Sequence, residues 1–162
     1  MPSVTPAHWD GVAIEAALGG WGYVKDLGYD RYLRDLTWMT DEPMASLPPI
    51  ELYLMGLVGP QDVPPLEWYS EIRVMEETVA GTVIYARKNV TTIEEIIAEF
   101  GPRVPDHTTS QRDFRGVLVI ITPDGLSTDE SASLAAEIEA FEAYFASVTG
   151  NWASIRLTGL GG

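Results

Sequence analysis

Residues 46–58 constrain the fold more than any other stretch of this chain. Ser46-Leu47-Pro48-Pro49 is a helix-start pattern: serine can cap, and proline suits the first turn, where its missing N–H costs nothing. The residues that follow, Ile50-Glu51-Leu52-Tyr53-Leu54-Met55-Gly56-Leu57-Val58, are apolar on every side except at Glu51. A helix that is apolar all round has to be covered all round. A buried helix is therefore expected near 48–58, ended by Gly59-Pro60, with other layers packed about it. A chain of 162 residues is expected to do this as a single domain. That domain would span 1–162, with a less regular, aromatic-rich portion over 1–45 and an α+β portion over 46–162.

The α+β reading comes from the second half. β-favouring residues at Trp68, Ile72, Val74 and Thr82-Val83-Ile84-Tyr85 predict a strand pair over 68–76 and 81–87, joined near Ala80-Gly81. Thr92-Ile93-Glu94-Glu95 is a capping box opening a short helix, which Gly101-Pro102 terminates. Val117-Leu118-Val119-Ile120-Ile121 is a continuous apolar run that reads as a central strand. Ser127-Thr128-Asp129-Glu130 is a second capping box. The helix it opens carries Leu134, Ile138, Phe141, Phe145 and Val148 along one stripe and stops at Thr149-Gly150. A last strand is expected from Trp152 to Leu157. The order β-β-α-β-α-β implies an α+β fold, a mainly antiparallel sheet with two or three packed helices. In the first half, residues 11–18 suggest a short helix and 21–33 a hairpin or irregular loop around a glycine turn.

Charge and composition then exclude several functions. The chain holds 10 basic and 24 acidic residues, a net charge of −14, which disfavours nucleic acid and anionic membrane surfaces as partners. No apolar run approaches the roughly 18 residues of a membrane span. The first residues lack the basic and apolar regions of a signal peptide. Zero cysteines remove disulfides, thiolate metal sites and cysteine nucleophiles together. With two histidines, His8 and His107, there is no His-Glu-x-x-His zinc motif. Phosphate loops, dinucleotide fingerprints and serine elbows are missing as well.

Among the remaining candidates, Glu51 is the most unusual carboxylate. It reads either as a metal ligand or catalytic carboxylate facing a cleft, or as a first-turn residue favoured by the helix dipole, for which an arginine such as Arg73 or Arg115 is a further possible partner. Asp26, Asp30 and Asp35 form an acidic stretch that suggests calcium, although their spacing matches no calcium loop and Lys25, Arg31 and Arg34 interleave. His8-Trp9-Asp10 gathers an imidazole, an indole and a carboxylate. His107 has aspartates on either side, Asp106 and Asp113, within a loop of turn-forming residues. A carboxylate-only, glycosidase-like enzyme finds no specific support, because with so many acidic residues some pair will meet the required spacing by chance.

Several segments taken in order resemble a known group. They are Ala7-His8-Trp9-Asp10, Gly19-Gly20-Trp21, the Ser46 to Leu57 stretch with its Glu-Leu-Tyr-Leu-Met-Gly-Leu core, Gly101-Pro102-Arg103-Val104-Pro105, Phe114-Arg115 and Phe145 to Gly150. Together they resemble the downstream part of little-characterised bacterial exported proteins with zincin-type metallopeptidase features. The resemblance implies a metallopeptidase-related domain that is not catalytic alone and that contributes to a peptide-binding cleft. It also implies an exported protein whose zinc motif would lie upstream, and it places Glu51 where a further zinc ligand or cleft wall would sit. The candidate binding residues are His8, Trp9, Trp21 and Tyr53, for a polypeptide partner. Tyr23, Tyr29, Tyr32 and Trp38 are further aromatics that serve either a binding surface or the core. No cofactor is expected, with zinc and calcium left open. The alternative is a stand-alone acidic binding module, protein- or calcium-dependent, which would favour cationic partners.

Overall fold

A computed structural model describes residues 12–14, 19–35 and 45–159. The chain runs β1 (Val24–Gly28), β2 (Arg31–Asp35), α1 (Pro49–Leu54), a 3-10 turn (Pro60–Asp62), β3 (Leu66–Thr78), β4 (Gly81–Thr91), α2 (Ile93–Phe100), β5 (Asp113–Leu118), α3 (Thr128–Val148) and β6 (Ser154–Gly159). The fold is α+β. Four antiparallel strands in the order β1-β2-β4-β3 form the main sheet, and β5 and β6 form a separate parallel pair. No described helix is long and apolar enough to cross a membrane.

Local chemistry sets most of these elements. The β1–β2 hairpin turns at Tyr29 and Asp30, both at positive φ, as tight hairpin turns of the twisted kind require. Asp26 accepts the Gly28 N–H at 2.7 Å, and the Asp30 carbonyl accepts the Ala86 N–H at 3.0 Å, which ties the hairpin to β4. Both capping boxes form: Thr92 with Glu95 opens α2, and Ser127 with Glu130 opens α3.

Among the described residues, the core gathers in two clusters. Ile50, Tyr53, Val58, Val63, Leu66 and Ile93 pack around α1 and α2, whereas Trp21, Tyr32, Tyr69, Ile84 and Ala86 pack against the main sheet. Leu66 and Tyr69 are an odd number of residues apart on β3, so they point to opposite faces and serve one cluster each. Tyr69 stacks on Trp21 at 5.6 Å and meets the edge of Tyr32 at 4.8 Å.

Burial, followed by the charge of Glu67 and the proximity of Tyr32 and Asp26, pushes the Tyr69 phenol up to about 12. Tyr32 is raised too, by burial and then by Asp26 and Asp30. In the unfolded chain both phenols ionise near their ordinary value, at about pH 10. The folded state therefore keeps protons that the unfolded state gives up. This contribution to stability is complete below about pH 10 and declines between about 10 and 12. Urea midpoints measured across that window should fall, and Tyr69→Phe should flatten the decline; an unchanged slope in the variant would contradict the assignment.

Three expectations need correction. The apolar helix stops at Leu54 rather than at Gly59-Pro60, because Gly56 adopts φ +75° and reverses the chain. It is also not covered all round, since Leu54 is exposed. The run 117–121 is not a central strand. β5 ends at Leu118, and Val117, Val119 and Ile121 are 58%, 64% and 95% exposed. A short apolar run has no period that tells a covered strand from an exposed one. Val12 bridges Trp68 in an antiparallel contact instead of starting a helix, and 15–18 lie outside the described residues.

Candidate functional site

A short helix this size has little stability of its own, and α1 is held by what closes around its C-terminus. The Leu57 N–H donates to the Leu52 carbonyl and the Gly56 N–H to the Tyr53 carbonyl, each at 2.8 Å. This is the Schellman arrangement, with glycine in the left-handed position. Leu57 is thereby turned fully into the interior.

The loop after α2 then folds back over this end. The Arg103 Nε donates to the Leu54 carbonyl at 2.8 Å, its Nη1 donates to the Pro105 carbonyl at 2.9 Å, and its backbone N–H donates to the Tyr53 Oη at 3.1 Å. Arg112 bonds the carbonyls of Leu57 and His107 and lies over the Trp152 ring at 5.1 Å. Two guanidinium groups thus satisfy helix-end and loop carbonyls that would otherwise lack donors.

Between α1, α2 and this loop lies a cavity of about 200 Å³, lined by Tyr53, Val58, Pro60, Ile97, Pro102, Arg103, Asp106 and His107. Its floor is aliphatic and aromatic; its rim carries an imidazole and a carboxylate. Asp106 is committed to its own turn: it accepts from the Thr108 Oγ1 at 2.7 Å, the Thr108 N–H at 3.0 Å and the Thr109 Oγ1 at 3.1 Å. The Thr108 contacts first, then Thr109 and the nearby His107, hold the Asp106 carboxyl below the usual carboxylate range. Asp113 is bonded to the Ser154 hydroxyl at 2.7 Å. The turn-forming reading of the His107 loop therefore describes it well.

A larger hollow, about 670 Å³, runs along the β3–β4 hairpin beside the bulge at Glu71, lined by Glu71, Arg73, Val74, Met75 and Tyr85. Every one of these residues is exposed, so it is an open groove on the surface and not an enclosed site.

The sequence candidates scatter. Tyr53 is buried and lines the smaller cavity. Glu51 is 5% exposed, in the first turn of α1, while Arg73 and Arg115 are both exposed. Trp21 is 4% exposed, between Tyr69 on one face and the Arg34 guanidinium at 5.1 Å. Tyr32 is buried, whereas Tyr23 and Tyr29 are exposed. His8, Trp9 and Trp38 lie outside the described residues. Among the described residues, no three His, Asp or Glu side chains gather to hold a metal ion. Asp30 instead receives the Tyr85 hydroxyl at 3.4 Å.

Sequence reasoning missed Arg103, Pro102 and Ile97 as lining residues. The available signal was an arginine set between prolines just after a glycine-terminated helix, a pattern that fixes a loop and aims one long donor at nearby carbonyls. Comparison with known proteins adds nothing to this geometry: no family model, curated protein or solved structure matches the chain.

Proposed function

We propose that this chain is a polypeptide-binding domain, related to metallopeptidases and not catalytic alone, which contributes a side-chain pocket to a peptide-binding cleft. The carrying observation is the small cavity over Tyr53. It has an apolar floor and a few polar groups at the rim, the composition of a site that seats one apolar side chain and orients the backbone attached to it. Its walls are braced by Arg103 and Arg112, so little ordering remains to be done on binding. Asp106 is engaged by Thr108 and Thr109, which favours binding over an Asp/His proton relay.

The test is to titrate the isotope-labelled chain with N-acetyl-leucine amide, N-acetyl-phenylalanine amide and, as a polar control, N-acetyl-glutamine amide. Amide shifts should appear at Tyr53, Ile97, Arg103 and His107 with the apolar probes only, and His107→Trp should abolish them by filling the rim. Equal shifts with the glutamine probe, or none at these positions, would refute the pocket. Peptide cleavage on adding zinc, lost in Glu51→Gln, would overturn the non-catalytic part.

A second reading, a stand-alone acidic interaction module, is favoured by the net charge of −14. It would declare itself by binding a cationic polypeptide away from Tyr53, with or without calcium.

A further inference from the structure

The β5–α3–β6 unit has one covered face and one bare face. Side chains alternate along each strand. Phe114, Gly116 and Leu118 of β5, with Ile155 and Leu157 of β6, are partly covered. On this side Phe114 meets Phe145 of α3 edge-on at 6.0 Å, and the Leu157 N–H donates to the Glu142 Oε1 at 2.6 Å. The other set, Asp113, Arg115 and Val117 beside Ser154, Arg156 and Thr158, faces away from α3. Parallel strands are almost always covered on both faces, usually by helices. Among the described residues, no element covers the second face of this pair.

The bare face also carries an electrostatic conflict. Arg115 and Arg156 are register partners in the parallel pair, about 4.8 Å apart at the backbone, and like charges side by side destabilise a sheet. Both are exposed. Among the described residues neither forms an ion pair or a side-chain hydrogen bond. In a chain with 24 acidic and 10 basic residues, two adjacent cations that outnumber the one strand carboxylate on their face, Asp113, which the Ser154 hydroxyl engages at 2.7 Å, are a local inversion of the surface. Val117 extends the patch with exposed apolar area.

We infer that this face docks an acidic amphipathic helix of a partner polypeptide, which presents two carboxylates one turn apart beside an apolar residue. Positions i and i+4 of a helix lie about 5–6 Å apart, which matches the spacing of the two arginines. Each guanidinium can then take one carboxylate through paired N–H donors, while the apolar residue covers Val117. A second copy docked symmetrically through this face would oppose four guanidinium groups and is disfavoured. The repulsion between two acidic molecules is screened beyond roughly 8 Å at physiological salt, so contact chemistry decides. The inference shares the polypeptide-binding reading but uses none of the residues around Tyr53.

The probe is a synthetic alanine–leucine helix carrying two glutamates at i and i+4, with a glutamine-for-glutamate version as control. It is titrated into the labelled full chain at low and high salt. Shifts should concentrate at 113–119 and 154–158, and binding should weaken with salt. Arg115→Gln with Arg156→Gln should lower affinity by roughly tenfold, the scale expected for two partly exposed ion pairs. Circular dichroism and the Tyr53-pocket titration should be unchanged in that variant, which confirms its fold. Equal binding of the glutamine helix, affinity unaffected by the double substitution, tighter binding of an oligonucleotide, or concentration-dependent dimerisation through this face would each overturn the inference. Failure of the helix probe with the leucine-amide shifts intact would refute this surface alone.

Discussion

Gly56→Ala is expected to destabilise the chain by about 3 kcal/mol, from two separate causes. The first is backbone: Gly56 sits at φ +75°, and an L-residue there costs roughly 1–2 kcal/mol. The second is steric. A Cβ on Gly56 would collide with the Ser110 Oγ and lie 2.8 Å from the Ser110 Cβ, and forcing a packed neighbour aside costs about 1–3 kcal/mol. Ser110 cannot swing away freely, because its hydroxyl donates to the Pro105 carbonyl at 2.9 Å. Urea unfolding of Gly56→Ala alone and in a Ser110→Gly background separates the two. Ser110→Gly should recover the steric part and leave the backbone part. A loss below about 0.5 kcal/mol would mean that the chain reversal does not depend on glycine. The leucine-amide shifts at the cavity should weaken along with stability, since Arg103 and His107 sit on the displaced loop.

Tyr69→Ala should cost still more, about 4 kcal/mol, the range for truncating a buried aromatic. Tyr69 is 2% exposed and touches both Trp21 and Tyr32. Its removal leaves a cavity and undoes two ring contacts, each worth about 0.5–1.5 kcal/mol beyond burial. Tyr69→Phe keeps both contacts and should cost far less. Equal losses for alanine and phenylalanine would place the effect in the hydroxyl and contradict the packing account. In the alanine variant the near-ultraviolet dichroism of Trp21 should collapse, while the Tyr53 side of β3 keeps its shifts.

What was legible from the sequence depended on reach. Each capping box joins residues three apart, Thr92 to Glu95 and Ser127 to Glu130, so both helix starts were readable. The β3–β4 pair follows from β-favouring segments joined by a short turn, and it runs slightly longer than expected. The end of α1 was readable in principle from Gly56, but a continuous apolar pattern carried past it outweighed a single glycine. The run at 117–121 misled for a related reason, since an apolar stretch says that cover is favourable and not which element provides it.

The candidate site was the least legible part. Tyr53 and Arg103 are fifty positions apart and meet only because the loop after α2 doubles back onto the end of α1. Arg115 and Arg156 are adjacent only because β5 and β6 pair in parallel around α3. By itself, the sequence determined the elements whose hydrogen bonds and apolar periods close within a few residues: the α+β class, both capped helices and the long hairpin. The tertiary structure alone decided which apolar stretches are covered, which carboxylates are engaged and which cations lie side by side. Those depend on contacts between distant segments, whose energies no local pattern encodes.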